Sequence, residues 1–164
     1  MEIRRIADDD DTTHVGALVQ AAYTALPGMP DDDDYLRYIG DVSARLDEAE
    51  VVVAVHDGRV VGCLTFVSGP GTHHHEFDDP HATSFRYFGV DPGAQGSGVG
   101  RAMVGWCIDE TRRLGKPRIR IHTLDAMTSA RRLYEQMGFV RTPEFDENWD
   151  GIDGIAYAFE LGLS

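Results

Sequence analysis

"VDPGAQGSGVGRAMVGWCIDETRR", residues 90–113, sets four glycines (Gly93, Gly96, Gly98, Gly100) within eight positions and then reads as a helix. It continues directly from "SFRYFGV" (84–90), whose β-branched and aromatic content reads as a strand. A glycine-rich turn between a strand and a helix lets the backbone approach something closely. A P-loop needs Lys-Ser or Lys-Thr after its last glycine, but Gly93 and Gly98 are followed by Val99-Gly100. A dinucleotide fingerprint fails too. Counted from Gly96 its third position is Arg101, counted from Gly98 it is Met103, and no acidic residue follows about 20 positions later, where Lys116 to Arg120 is basic. What remains is "QGSGVG" (95–100), which presents consecutive backbone N–H groups at a helix N-terminus, where the macrodipole favours anions. Arg101 puts a cation in the first turn, where a helix alone favours Asp or Glu, and this fits a bound anion. Tight strand–helix packing is the alternative use of the same glycines.

Outward from this turn the pattern stays regular. "MEIRRI" reads as a strand, and Thr12 or Thr13 is expected to cap a helix running to about Ala25 with Val15, Leu18, Val19 and Ala22 on one face. "LPGMPDDDD" (26–34) is a loop, and a second helix is predicted from about Asp34 to Ala49 on Leu36, Ile39, Val42 and Leu46. "VVVAVHDGRVVGCLTFV" (51–67) is a hairpin around Asp57-Gly58. Residues 68–83 form a long polar loop. Residues 98–115 form a helix stopped by Gly115 and Pro117, "RIRIHT" (118–123) a strand, and 126–137 a helix stopped by Gly138. "FVRTPEF" and "GIAYAFEL" are the last strands. The order β-α-α-β-β-β-α-β-α-β-β predicts one α/β domain over residues 1–164, with a mixed, mostly antiparallel sheet and helices on both faces. The glycine turn then lies at the carboxyl end of a strand entering a β-α-β unit, a usual place for a ligand.

The 164 residues, 42% hydrophobic, suffice for one core, and no window reaches the roughly 18 apolar residues of a membrane span. "MEIRRIADDDD" lacks the apolar stretch of a signal peptide, so a soluble cytoplasmic protein is expected. Cys63 and Cys107 read as two reduced, buried thiols. A formal net charge of −13 argues against nucleic acid as a partner. The charge collects in "DDDD" at 8–11, "DDDD" at 31–34 and "EFDENWD" at 144–150, which read as solvated loops or as the rim of an entrance that attracts a cationic substrate. "HHHEFDDPH" (73–81) contains metal-ligand residue types, but adjacent histidines in an irregular loop rarely converge on one ion, and no functional metal is expected.

Q-x-x-G-x-G preceded by "VDP", together with "ARRLYEQMGF" (130–139), resembles the acetyl-coenzyme A loop and the A-x-x-L-Y-E-x-x-G-F segment of the GNAT superfamily of N-acetyltransferases. The separation of the two motifs and the element order over about residues 2–162 are also family-like. The resemblance implies that the pantetheine arm lies where "SFRYFGV" splays from "RIRIHT", bonded by backbone groups of Phe88, Gly89 and Val90. The pyrophosphate would rest on the N–H groups of Gln95, Gly96, Ser97, Gly98, Val99, Gly100 and Arg101. The Phe88 N–H would hold the thioester oxyanion, and Tyr134 would protonate the departing thiolate. Many relatives carry a glutamate four residues before the oxyanion donor. Here that position is Ser84, which can only hold a relay water, and the nearby bases are Glu76, Asp79, His81 and His73 to His75, with His81 nearest neutral pKa. Many relatives also carry an asparagine seven residues before the tyrosine, where Met127 stands. The resemblance thus implies acetyl transfer from acetyl-coenzyme A, without a metal, to a small-molecule amine or an amino-terminal group. The acidic loops suggest that this acceptor is cationic. Transfer of another short acyl group, and a non-catalytic acyl-coenzyme A sensor or partner-binding module, are the alternatives. The resemblance is compatible with a homodimer.

Overall fold

The computed structural model describes residues 1–27, 33–149 and 155–163. In chain order it contains β1 (Glu2–Arg5), α1 (Thr12–Thr24), α2 (Asp33–Gly40), β2 (Glu50–His56), β3 (Arg59–Val67), β4 (Ala82–Val90), α3 (Val99–Arg113), β5 (Arg118–Thr123), α4 (Thr128–Gln136), β6 (Val140–Arg141) and β7 (Tyr157–Gly162). The seven strands form one sheet in the order β1-β2-β3-β4-β5-β7-β6. Every neighbouring pair is antiparallel except β4 and β5. The expected Asp57-Gly58 turn joins β2 to β3, and both residues take the positive φ (51° and 75°) that a tight hairpin of this twist requires.

Strand alternation builds a core on each face of the sheet. Val51 and Val53 pack under α1 and α2 with Val15, Leu18, Val19, Ile39 and Tyr87. Val52 and Ala54 face α3 and α4 with Leu64, Phe66, Met103, Cys107, Ile119, Ile121 and Tyr134. Helices α1 and α2 cross almost backbone on backbone: a Cβ on Gly16 would lie 2.0 Å from the Gly40 carbonyl oxygen. Cys63 and Cys107 are free and buried, as expected.

Three elements depart from expectation. The second helix stops at Gly40 instead of Ala49, and residues 43–45 form a single 3-10 turn. The cause is Arg45, which turns inward to 2% exposure. Its guanidinium donates to the carbonyls of Ile39 (2.7 Å), Tyr38 and Asp41 (3.3 Å each), and its Nε to Thr65 Oγ1 (3.0 Å). The side chain thus takes the carbonyls that end α2. The strand predicted for "FVRTPEF" shrinks to Val140–Arg141, because Pro143, which has no N–H for a ladder, opens a 3-10 turn. Strand β4 begins two residues earlier than predicted, at Ala82. Residues 28–32 of the loop expected at 26–34, residues 150–154 of the last loop and Gly154 of the predicted last strand lie outside the described residues. Among the described residues no helix is long and apolar enough to cross a membrane.

Candidate active site

Among the described residues the one parallel pair of the sheet is short. β4 and β5 meet at Ala82↔Arg118 and Thr83↔Ile119 and then part. Each continues with its other neighbour, β4 along β3 to Val90 and β5 along β7 to Thr123. Beyond Thr83, β4 therefore turns an unpaired edge towards β5. A bulge lies on the same stretch. The register shifts between Cys63 and Thr65 opposite Arg86 and Gly89, and Tyr87 takes φ 52°. The bulge sends Tyr87 to the α1 face and leaves Phe85 and Phe88 edge to face at 5.9 Å.

A groove of about 550 Å³ fills the gap between the strands. One end is built by the glycine turn. Asp91 caps the short turn at 92–94 through Gly93 N–H (2.9 Å), and Gln95 Nε2 donates back to Val90 O (3.3 Å). Gly96 and Gly98 take φ 83° and 88°. A Cβ at either would meet nothing within 4 Å, so backbone conformation selects glycine there, not crowding. Gly100 is different: its Cβ would press on Leu133 at 3.2 Å and Phe88 at 3.5 Å, so it sets how closely α3 approaches α4 and β4. Gly98 caps α3 with no side-chain acceptor, and Ala102 is the first N–H bonded into the helix, to Gly98 O (3.1 Å). The N–H groups of Val99, Gly100 and Arg101 are thus left for an anion at the positive end of α3. Arg101 reaches Gln136 Oε1 at 3.0 Å and keeps its charge at this rim.

The sequence-predicted residues separate cleanly here. Phe88, Gly89, Val90, Gln95, Gly96, Gly98, Val99, Gly100, Arg101 and Tyr134 all line the groove; Ser97 does not, and its hydroxyl bonds Ala94 O. Tyr134 is 4% exposed, packed by Phe85 (5.8 Å) and Phe139 (5.6 Å). Its hydroxyl has no hydrogen-bond partner among the described residues, and burial pushes the phenol above its ordinary value, so it stays protonated. Ser84 is buried away from the groove lining, and its Oγ has no partner. Among the base candidates, His81 is exposed and Asp79 is taken by Arg118 (2.9 Å); neither lines the groove. Glu76 does, as the one carboxylate of the lining among the described residues. Met127, at the position of the missing asparagine, also lines it.

Sequence reasoning missed what holds Glu76. His122 Nδ1 meets Glu76 Oε2 at 2.5 Å, and His122 Nε2 meets the Phe145 carbonyl at 2.9 Å. Both partners are acceptors, so the ring carries both protons and is an imidazolium. Burial alone would lower its pKa, but the hydrogen bond and charge of Glu76 outweigh burial and raise it. Phe77 stacks on one side of the ring at 4.4 Å, and Trp149 meets it edge-on at 5.2 Å. Arg86 Nε lies 3.5 Å from Glu76 Oε1, with its guanidinium over the Tyr87 ring at 4.4 Å. The signal for His122 was its even place in "RIRIHT", opposite the core-facing Ile119 and Ile121. The acidic runs are partly committed to the fold. Asp10 binds Arg4 (2.7 Å), Asp146 binds Arg141 (2.7 Å), and Glu147 accepts from Trp149 (2.9 Å); Asp11, in place of the expected Thr12 or Thr13, caps α1 by accepting from the N–H groups of Thr13 and His14.

The family model described as the acetyltransferase (GNAT) family matches residues 13–139. Mycothiol acetyltransferase of Geodermatophilus obscurus is 35% identical over 97 residues, which cover 58% of this chain and 30% of that protein. The chain covers less than a third of the length of the curated relatives that it matches. Among solved structures, yncA from Salmonella typhimurium with its cofactor acetyl-CoA superimposes with a TM-score of 0.69 at 23% identity, covering 99% of this chain and 94% of that one. A GCN5-related N-acetyltransferase from Kribbella flavida gives 0.69 at 22% identity, covering 99% and 97%. At these identities the structural likenesses establish the fold.

Proposed function

Because the chain belongs to the acetyltransferase (GNAT) family, we propose that it is an acetyl-coenzyme A-dependent acyltransferase that moves the acetyl group to a primary amine by direct attack in a ternary complex. The observation that carries this reading is the divergence of β4 and β5 beyond Thr83, over a groove that joins an unpaired strand edge, an uncapped helix N-terminus and the unpartnered hydroxyl of Tyr134. The pyrophosphate rests on the N–H groups from Gln95 to Arg101, and the pantetheine arm extends β4 along Phe88 to Val90. The Phe88 N–H holds the tetrahedral oxyanion. Tyr134 donates its proton to the leaving thiolate; a phenol kept neutral by burial has that proton at every working pH.

The attacking amine must be neutral. A lysine-like amine, pKa about 10.4, is neutral in roughly one molecule in 2,500 at pH 7, and an α-amine near 7.7–8.0 in about one in ten. The second kind needs no strong base. Glu76 is held between His122 and Arg86, so it acts as the groove-side end of a water path that takes the proton away. Ser84, buried behind the lining, does not anchor that path. The acceptor is a small-molecule amine or an amino-terminal group. Its ammonium form suits a chain of net charge −13, and kcat/KM should fall as salt rises.

The test is coenzyme A thiol release from acetyl-coenzyme A with a panel of primary amines. Amine-dependent release is expected. Binding of acetyl-coenzyme A with no amine-dependent release across the panel would return the protein to a non-catalytic sensor.

A further inference from the structure

We propose that Glu48, His73 and His74 form a site for a zinc-class divalent cation, outside the acetyl-transfer groove and beside the loop that carries Glu76. The three candidate ligand atoms all lie within 4.8 Å of one another. His73 Nδ1 is 2.7 Å and His74 Nε2 3.3 Å from the same oxygen, Glu48 Oε2. Tetrahedral zinc with bonds of about 2.1 Å sets its ligand atoms roughly 3.4 Å apart, so small rotations of the exposed Glu48 and His73 side chains complete the geometry. Adjacent histidines converge here because they use different nitrogens: His73 turns the one next to its stem, His74 the one at its tip. Their rings lie 3.9 Å apart.

His74 is the decisive residue. Its side chain is 3% exposed, and buried Nε2 has no hydrogen-bond partner among the described residues. The Tyr87 hydroxyl donates to Tyr38 (3.1 Å), and His74 Nδ1 lies within reach of both phenols, 3.4 Å from Tyr87 and 3.5 Å from Tyr38. When Nδ1 donates to Tyr87, Nε2 turns a lone pair to the Glu48 carboxylate, and this is the tautomer that a cation between them selects. The Tyr87 contact is also what a metal-bound histidine needs, a partner for its other N–H that fixes the tautomer. Two imidazoles and one carboxylate suit zinc over calcium or magnesium.

The site has a mechanical consequence. Glu48 follows the 3-10 turn anchored by Arg45 (Glu48 N to Arg45 O, 3.2 Å). His74 O accepts from Arg86 Nη1 (3.1 Å), and Glu76 lies two residues further on. A bound cation clasps residues 72–78 to residues 43–49 and fixes Glu76 at the groove. No step of acetyl transfer passes through it.

The experiment titrates zinc chloride into tag-free protein by calorimetry and follows amide exchange of residues 72–78. One equivalent is expected to bind, with slower exchange. Glu48→Gln and His73→Ala, both at exposed positions, should each weaken binding at least tenfold. His75→Ala should bind as the wild type does, because His75 is directed to Thr72 and Asp78. The proposal is overturned by absence of stoichiometric zinc binding, by equal weakening in His75→Ala and His73→Ala, or by zinc binding that leaves exchange unchanged.

Discussion

Replacing Tyr134 by Phe separates the catalytic from the structural use of this tyrosine, because the two uses predict opposite pairs of results. The ring stays in its packing between Phe85 and Phe139, and only the hydroxyl is lost. If that hydroxyl is the acid that protonates the leaving thiolate, kcat should fall by about 10²–10⁴, a barrier increase of about 2.7–5.4 kcal/mol. Stability should hardly change, since the hydroxyl has no partner among the described residues to lose. A hydroxyl that bonded the fold would instead cost about 1 kcal/mol on removal, seen as a drop of about 2–4 °C in Tm for a chain of this size. The assay is single-turnover coenzyme A release at saturating acetyl-coenzyme A, paired with scanning calorimetry and with acetyl-coenzyme A affinity by titration. The expected result is a large loss in kcat, an unchanged Kd and a Tm shift of less than about 1 °C. Wild-type kcat accompanied by a falling Tm would refute the reasoning and make Tyr134 a packing residue.

Arg45→Ala removes the guanidinium that takes the carbonyls of Tyr38, Ile39 and Asp41 and leaves them buried, so urea unfolding should show a loss of about 3 kcal/mol or more; a loss under about 1 kcal/mol would mean that water replaces it. Asp146 is held at a pKa of about 2, from 3.8, chiefly by its hydrogen bond with Arg141. A depressed carboxylate stabilises the fold fully above its unfolded pKa, and that contribution is lost as pH falls through the folded one, so Tm should drop between about pH 4 and pH 2 and the drop should be shallower in Asp146→Asn. The pH–rate midpoint for kcat/KM should move with the pKa of the acceptor amine, and Glu76→Gln should cost less than tenfold; a fixed midpoint that vanishes in Glu76→Gln would instead identify a dedicated base.

The parts of the fold that could be read in advance are those in which local chemistry leaves one choice. Asp57-Gly58 between β-branched runs admits a hairpin, and Gly96 and Gly98 sit at positive φ where other residues are strained. The residues at the glycine-turn end of the groove were legible through the resemblance of their motifs to the acetyltransferase (GNAT) family. Arg45 was not, because a long cation on a predicted helix is ordinarily solvated; only the end of α2, brought beside β3, gives it carbonyls to bind. The end of the groove at Glu76 was hidden for a different reason. Glu76 and His122 are 46 residues apart, one in a loop without periodicity and one on a strand where only the core face announces itself. Their meeting depends on β5 pairing with β7 while β4 turns away, which no local pattern encodes. The same loop places His81 outside the groove, although a histidine was the better base candidate by residue type.

The central claim is that the glycine turn and the open edge of β4 bind acetyl-coenzyme A, and calorimetric titration of wild type and Gly98→Glu tests it most directly. Gly98 is at φ 88° with open space around its Cβ position, so the substitution adds about 1–2 kcal/mol of backbone strain but no clash, and the protein should still fold. The carboxylate would stand at the positive end of α3, where the proposed function puts the pyrophosphate. Wild type is expected to bind one equivalent of acetyl-coenzyme A, with about 2.7 kcal/mol of added stability at 100 times its Kd, and folded Gly98→Glu to bind none. Equal affinity in the two proteins, or no binding by either, would contradict the account.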